Sequence, residues 1–285
     1  MSDGTTARAA HAARIAGDIL AILGYVVLVV LLVVGFQAGR FTMPGGDVLN
    51  FLDAGERLRD GEVVYVGSWD AVGTVYFAPP VIVMFAIIGL LPGWVLGSVL
   101  VALDVVGLRY LTGSWRAFGW ASLCPVTAFQ LASGNPNFAI VAAILLASRV
   151  HAGPLALAAL AKIGPAVAVD PRRLRQFIVW GSAAIALTLP CLWLWPEWLQ
   201  FLLATPTDPG WPTIIPFAWR ILPIVLLLAV RRPWARMLAG ALAIPGFYIV
   251  TAWATLILAV RLLSDAARDR GWTARGRRLQ PPPVE

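Results

Sequence analysis

The chain has 285 residues, a formal net charge of +7, 59% hydrophobic residues and only 13% charged ones. A charged share about half that of ordinary globular domains excludes a soluble globular fold. The surplus of arginine does not mark a nucleic-acid binder, because no basic cluster is interleaved with stacking aromatics on a polar surface.

Long apolar runs can satisfy their backbone in lipid only as helices, so the sequence predicts an all-α, polytopic helical membrane protein. Arg8 and Arg14 precede an apolar run from Ile15 to Phe36. That run lacks a small-residue cleavage site and reads as a retained span with its N-terminus cytoplasmic. The segment 37–76 then emerges outside and carries Asp47, Asp53, Glu56, Asp60, Glu62 and Asp70, six of the fifteen acids. Within it, Asp47 precedes Val48, Phe51, Leu52, Gly55 and Leu58, an apolar stripe at helical spacing that Gly61 would stop. A short helix lying on the membrane surface, stripe to lipid and acids to water, is the expectation.

The run after Tyr76-Phe77-Ala78-Pro79-Pro80 has about eleven residues, too few for a full span, and predicts a helix that dips in or packs on the bundle. Trp94 to Leu111 descends to Arg109 and Arg116, and 117–132 rises to Ser133-Gly134-Asn135-Pro136-Asn137 outside. Phe138 to Ala147 returns to Arg149 and His151. The next apolar stretch, 154–169, has arginines at both ends but is too short to cross twice, which predicts a broken hairpin at Lys162-Ile163-Gly164-Pro165. Phe177 to Trp195 rises to a second outer loop, 196–218, where Trp193, Trp195, Trp198 and Trp211 suit an interfacial belt. Arg220 begins a descent, 237–245 rises, and 246–260 returns to a basic, Pro-rich cytoplasmic tail, 264–285, whose composition predicts disorder. Domain 1–263 is thus a single transmembrane unit of about 8–10 membrane helices. Cys124 and Cys191 lie inside apolar runs and read as buried small hydrophobes.

Few residues carry chemistry. Lys162 is the only lysine and sits deep in an apolar stretch, where a charge either snorkels to an interface or contacts a phosphate at a lipid-carrier site. Asp47 reads as an N-cap or as a base, and the two are compatible if capping uses one oxygen. Asn135 and Asn137 fit turn chemistry beside Pro136, or hydrogen bonds to a hydroxyl-rich ligand. Arg220 fits snorkelling, or pairing with a phosphate on the outer side. Asp104, mid-span, is the one candidate partner for Lys162 if the protein were instead a transporter or lipid flippase.

The order Asp47, Ala54, Gly61, Tyr65, Tyr76 and Pro79-Pro80 resembles the opening pattern of glycosyltransferase family 87. Those enzymes are GT-C-class, polyprenol-phosphate-mannose-dependent mannosyltransferases abundant in actinobacteria. Gly134-Asn135-Pro136-Asn137 resembles the family's Gly-Gln-x-Asn element, with Asn135 in place of glutamine. Lys162-Ile163-Gly164-Pro165 resembles its Lys-x-x-Pro element. Pro245-Gly246-Phe247-Tyr248 resembles a late Ser-Pro segment, without the histidine that follows it in the family. The resemblance covers roughly residues 45 to 255, on a chain shorter than expected for the family. It implies a GT-C-like bundle in the cell membrane, with both termini cytoplasmic. It further implies inverting transfer of a sugar, mannose favoured, from a polyprenyl-phosphate donor to a hydroxyl of a lipid-linked or cell-envelope glycan outside. Asp47 would be the base, Lys162 and Arg220 would hold the donor phosphate, and Asn135, Asn137, Tyr65 and Tyr76 would bind substrate. No cofactor is required by the sequence, and divalent-metal use is left open. A catalytically silent scaffold of the same fold is the third reading.

Overall fold

A computed structural model describes residues 3–37, 46–66, 75–204, 215–245 and 248–278. Asp70, Trp211, the Gly246-Phe247 pair and the Pro-rich end of the tail, all part of the sequence reading, lie outside the described residues. Among those described, every regular element is helical. Three helices are long and apolar enough to cross a membrane, and a fourth span results if one bent pair is counted together. These features argue for a membrane protein.

The first span lies in α1 (Asp3–Gln37), most of whose apolar residues point outward, Ile22 and Val29 among them, while Ala21 and Leu28 are buried on the side that packs on the bundle. A soluble fold could not leave such a surface in water. The helix α2 (Gly46–Asp60) ends one residue before Gly61, as its stop signal predicts. Its stripe does not face lipid, however. Val48 and Phe51 are buried, and Phe51 stacks on Phe85 of α3 (Pro79–Ile88) with ring centroids 4.9 Å apart. Burying aromatic area against a neighbouring helix satisfies the stripe as well as lipid would, and adds packing that lipid cannot.

The span α4 (Gly93–Thr112) packs along α7 (Asn137–Arg149). Between them the expected span 117–132 is split into α5 (Trp115–Ala121) and α6 (Pro125–Ser133). Pro125 cannot continue a helix from its N-terminal side, but it starts one well. The freed backbone is satisfied locally, for the Thr127 hydroxyl donates to the Ala121 carbonyl at 2.7 Å. The α6–α7 pair bends by 97° at Gly134-Asn135-Pro136, the turn expected there. Gly134 has φ +70°, a left-handed value that a side chain would resist.

After α8 (Gly153–Ala161) the chain breaks at Lys162, which is extended, and resumes as a short 3-10 turn over Gly164–Ala168. Gly164 lies against the backbone of Ala243, where a Cβ would come within 2.1 Å of the carbonyl oxygen. The expected span 177–195 is likewise interrupted, giving α9 (Leu174–Ala186) and α10 (Leu194–Ala204) with a 3-10 turn around Pro190. Then follow α11 (Phe217–Ala229), α12 (Pro233–Leu242) and α13 (Ile249–Arg278). The predicted disorder of the tail gives way to helix as far as Arg278. Good helix formers and an i,i+4 pair, Arg261 Nε to Asp265 at 3.0 Å, carry α13 onward.

The arginines expected to share one face do gather at one end. Arg116 pairs with Asp18 at 3.2 Å and donates to the Arg14 carbonyl, and the Arg261 guanidinium lies against Gly113. Asp265 also pairs with Arg149, whose carbonyl accepts from Arg173 at 3.1 Å. From that end α7 climbs about 18 Å, at 1.5 Å per residue, to Asn137 at the other.

Candidate functional site

Three helix ends meet at the end opposite the arginines: the start of α2, the start of α7 and the end of α8. Each brings an electrostatic bias of its own. Helix N-termini favour anions, and a C-terminus favours a cation. Asp47 stands in the first turn of α2 and Lys162 directly after α8, so each charge sits where its helix dipole favours it.

A continuous chain of hydrogen bonds joins them. The Asn135 side-chain amide donates to Asp47 Oδ2 at 3.0 Å. Gln130, on α6, donates to both the Asn135 carbonyl and Asp104 Oδ2. Its Oε1 accepts from Asn137 Nδ2 at 3.0 Å, and Asn137 Oδ1 in turn accepts from Lys162 Nζ at 2.6 Å. The ammonium is near enough to attract the carboxylates of both Asp47 and Asp104. Lys162 is therefore held by a buried amide between two acids, and it does not snorkel.

Asp104 also has a structural task. Its Oδ1 accepts the Ala139 backbone N–H at 3.0 Å, so it caps the first turn of α7 from a neighbouring helix. Burial pushes the Asp47 carboxyl above the ordinary aspartate value, while the Asn135 hydrogen bond and the Lys162 charge pull it back. Tyr248, last residue of the fourth motif, is raised by its own burial and by the Asp47 charge.

Asn135 Oδ1 is buried and has no hydrogen-bond partner among the described residues. A buried carbonyl acceptor left unpaired costs about 1–3 kcal/mol, so this atom is a position a ligand hydroxyl would satisfy. Beside it lies a carboxylate able to take that hydroxyl's proton.

The other candidates sit elsewhere. Arg220 is only 2% exposed and spends its guanidinium on backbone carbonyls. It donates to Ile215 at 3.0 Å, to Leu242 and to Ile244 at 2.8 Å, and it stacks over Phe217. It clamps α11 to the end of α12, next to the Gly164–Ala243 contact. Tyr65 donates its hydroxyl to the Phe77 carbonyl at 2.8 Å, and the Tyr65 and Tyr76 rings both pack near Phe201 of α10. Glu197 Oε1 accepts both the Val64 and Tyr65 backbone N–H groups at 2.7 Å, and Trp198 donates to the Tyr76 carbonyl at 3.1 Å. The two loops expected outside are thus tied together. Sequence reasoning missed Glu197, and above all Gln130. A lone amide in an apolar run, seven residues before Asn137, was the available signal. Among the described residues no group of histidine, cysteine, aspartate or glutamate side chains is arranged to hold a metal ion.

No protein family model, curated protein or solved structure matches this chain.

Proposed function

We propose that this protein is a membrane glycosyltransferase of GT-C type. In this reading it transfers a sugar, mannose favoured, from a polyprenyl phosphate to a hydroxyl of a glycolipid or envelope glycan on the outer face. The bundle would hold about 8–10 membrane helices, counting short apolar ones such as α3 and α11 that are packed within it. The acceptor oxygen attacks the anomeric carbon as the carbon–oxygen bond to phosphate breaks. Asp47 takes the hydroxyl proton, and polyprenyl phosphate leaves with the bonding electrons. Lys162 faces the negative charge that grows on that phosphate.

One observation carries the reading. Asp47, the Asn135–Asn137 turn and Lys162 come from three separate segments, yet they share one hydrogen-bonded chain that holds an unpartnered acceptor, Asn135 Oδ1, beside a carboxylate. Arg220 is not needed for it, being committed to carbonyls. Incubating membranes with synthetic polyprenyl-phosphate sugars and analysing the products is the direct test. No transfer by the wild-type protein to any envelope glycan fraction, from any such donor, would sink it.

The transporter reading draws on Asp104, since a buried acid and Lys162 share the network. Asp104→Asn separates the two. A transporter loses coupled uptake, whereas the enzyme keeps transfer as long as α7 stays capped.

A further inference from the structure

A cavity lies at the arginine end, far from Asp47. It has a volume of about 370 Å³ and is lined by His151, Arg172, Arg175, Gln176, Val179 and Trp180. Its walls come from the loop before α8, the 3-10 turn Pro171–Arg173 and the first turns of α9. Arg172 and Arg175 are exposed, and no ion pair neutralises either among the described residues. Asp170, the acid nearest in sequence, accepts from the Arg172 backbone at 3.0 Å and faces Arg236 at 3.7 Å. The neutral lining groups are oriented as well. His151 Nδ1 accepts the Gly153 N–H at 2.9 Å, which leaves Nε2 as the nitrogen that can donate. Gln176 uses its oxygen on the Ala152 N–H at 3.2 Å, leaving its amide hydrogens free to donate. The His151 ring meets Trp180 edge-on at 6.0 Å, which fixes both. Two arginines, a histidine and a glutamine therefore line one space, and the acceptor atoms of the latter two are already used on backbone N–H groups. That is the complement of a phosphate.

The surface continuing from the cavity identifies the source of that phosphate. Leu174, Ile178 and Ile185 are exposed at helical spacing along α9, and Val179 and Trp180 are exposed beside them. An apolar stripe leading from a basic cavity fits acyl chains below an anionic headgroup. We propose that this cavity binds the phosphate of an anionic membrane lipid on the arginine side of the bilayer. The proposal is independent of the Asp47 site.

The experiment is native mass spectrometry of the detergent-purified full chain with added phosphatidylglycerol, with phosphatidylcholine, or with inorganic phosphate. The wild type should retain phosphatidylglycerol over phosphatidylcholine. Arg172→Gln/Arg175→Gln should lose that retention by roughly ten- to thirtyfold, about fivefold per cation near a membrane surface. Arg172→Lys/Arg175→Lys keeps the charge and should keep most of it, and equal lipid-free melting of all three proteins verifies the fold. Displacement of bound lipid by millimolar inorganic phosphate, with no preference between lipids, would support a phosphate site but assign it to a soluble anion. Equal retention of both lipids without such displacement, or undiminished binding in the glutamine variant, overturns the proposal.

Discussion

Asp47 is the residue on which most depends, and its two possible tasks separate cleanly. It sits in the first turn of α2 and accepts from Asn135, so Asp47→Asn keeps a first-turn polar group of equal size. Folding should survive with less than roughly 1 kcal/mol of change, the usual size of a lost cap. Transfer should fall about a hundred- to ten-thousandfold, the usual share of a general base. Normal transfer by the asparagine variant would end the case for catalysis. The acidity of Asp47 gives a second readout. A base must be deprotonated, and burial raises this carboxyl above 3.8, so the rising acid limb of the rate profile should lie at higher pH than for an exposed aspartate. The stability sign is the opposite. A carboxyl raised in the folded state favours folding most below its unfolded value, and that contribution is lost as pH climbs through the folded one. Lys162→Met keeps length and apolarity while deleting the charge. Donor use should collapse with expression intact, and unchanged transfer would reduce Lys162 to a strut between Asn137 and two carboxylates.

At the scale of elements, the site depends on how closely the Lys162 turn approaches the end of α12. Gly164→Ala would place a methyl 2.1 Å from the Ala243 carbonyl, and overpacking of this kind costs about 1–3 kcal/mol. Detergent melting should drop by several degrees with transfer reduced, and an unchanged melting point would show that the turn gives way freely. Much of this geometry was legible beforehand. Gly61 marked the end of α2, Gly134 to Pro136 marked the bend, and Gly164-Pro165 marked the break, because Gly and Pro act through local backbone preferences. Long-range partners were not legible. Nothing around Phe51 says that its stripe meets Phe85 instead of lipid, and nothing around Gln130 says that its side chain joins Asp104, Asn135 and Asn137. The break between α5 and α6 was not read from the sequence, because the apolar run on either side of Pro125 reads as one span. The run of arginines after Arg261 suggested a disordered tail, yet the Arg261–Asp265 pair and helix-forming neighbours keep α13 intact to Arg278.

For the molecule as a whole, the separation of charge between its two ends decides whether the site is where an outer-face enzyme needs it. Arg14, Arg116, Arg149, Arg173 and Arg261 cluster at one end, and the Asp47 chain lies at the other, along the length of α7. Retained arginines mark the cytoplasmic side, so the Asp47 end should face outward, where polyprenyl-phosphate donors are used in the proposed reaction. Glu62 and Arg268 are both exposed, near opposite ends, and suit single-cysteine labelling in a background with Cys124 and Cys191 replaced by alanine. A membrane-impermeant maleimide should label Glu62→Cys in intact cells, and Arg268→Cys only after permeabilisation. The reverse pattern would put Asp47 and Lys162 on the cytoplasmic face. The hydrogen-bonded chain would be unaffected by that inversion, but transfer to an outer glycan would then be impossible from this site.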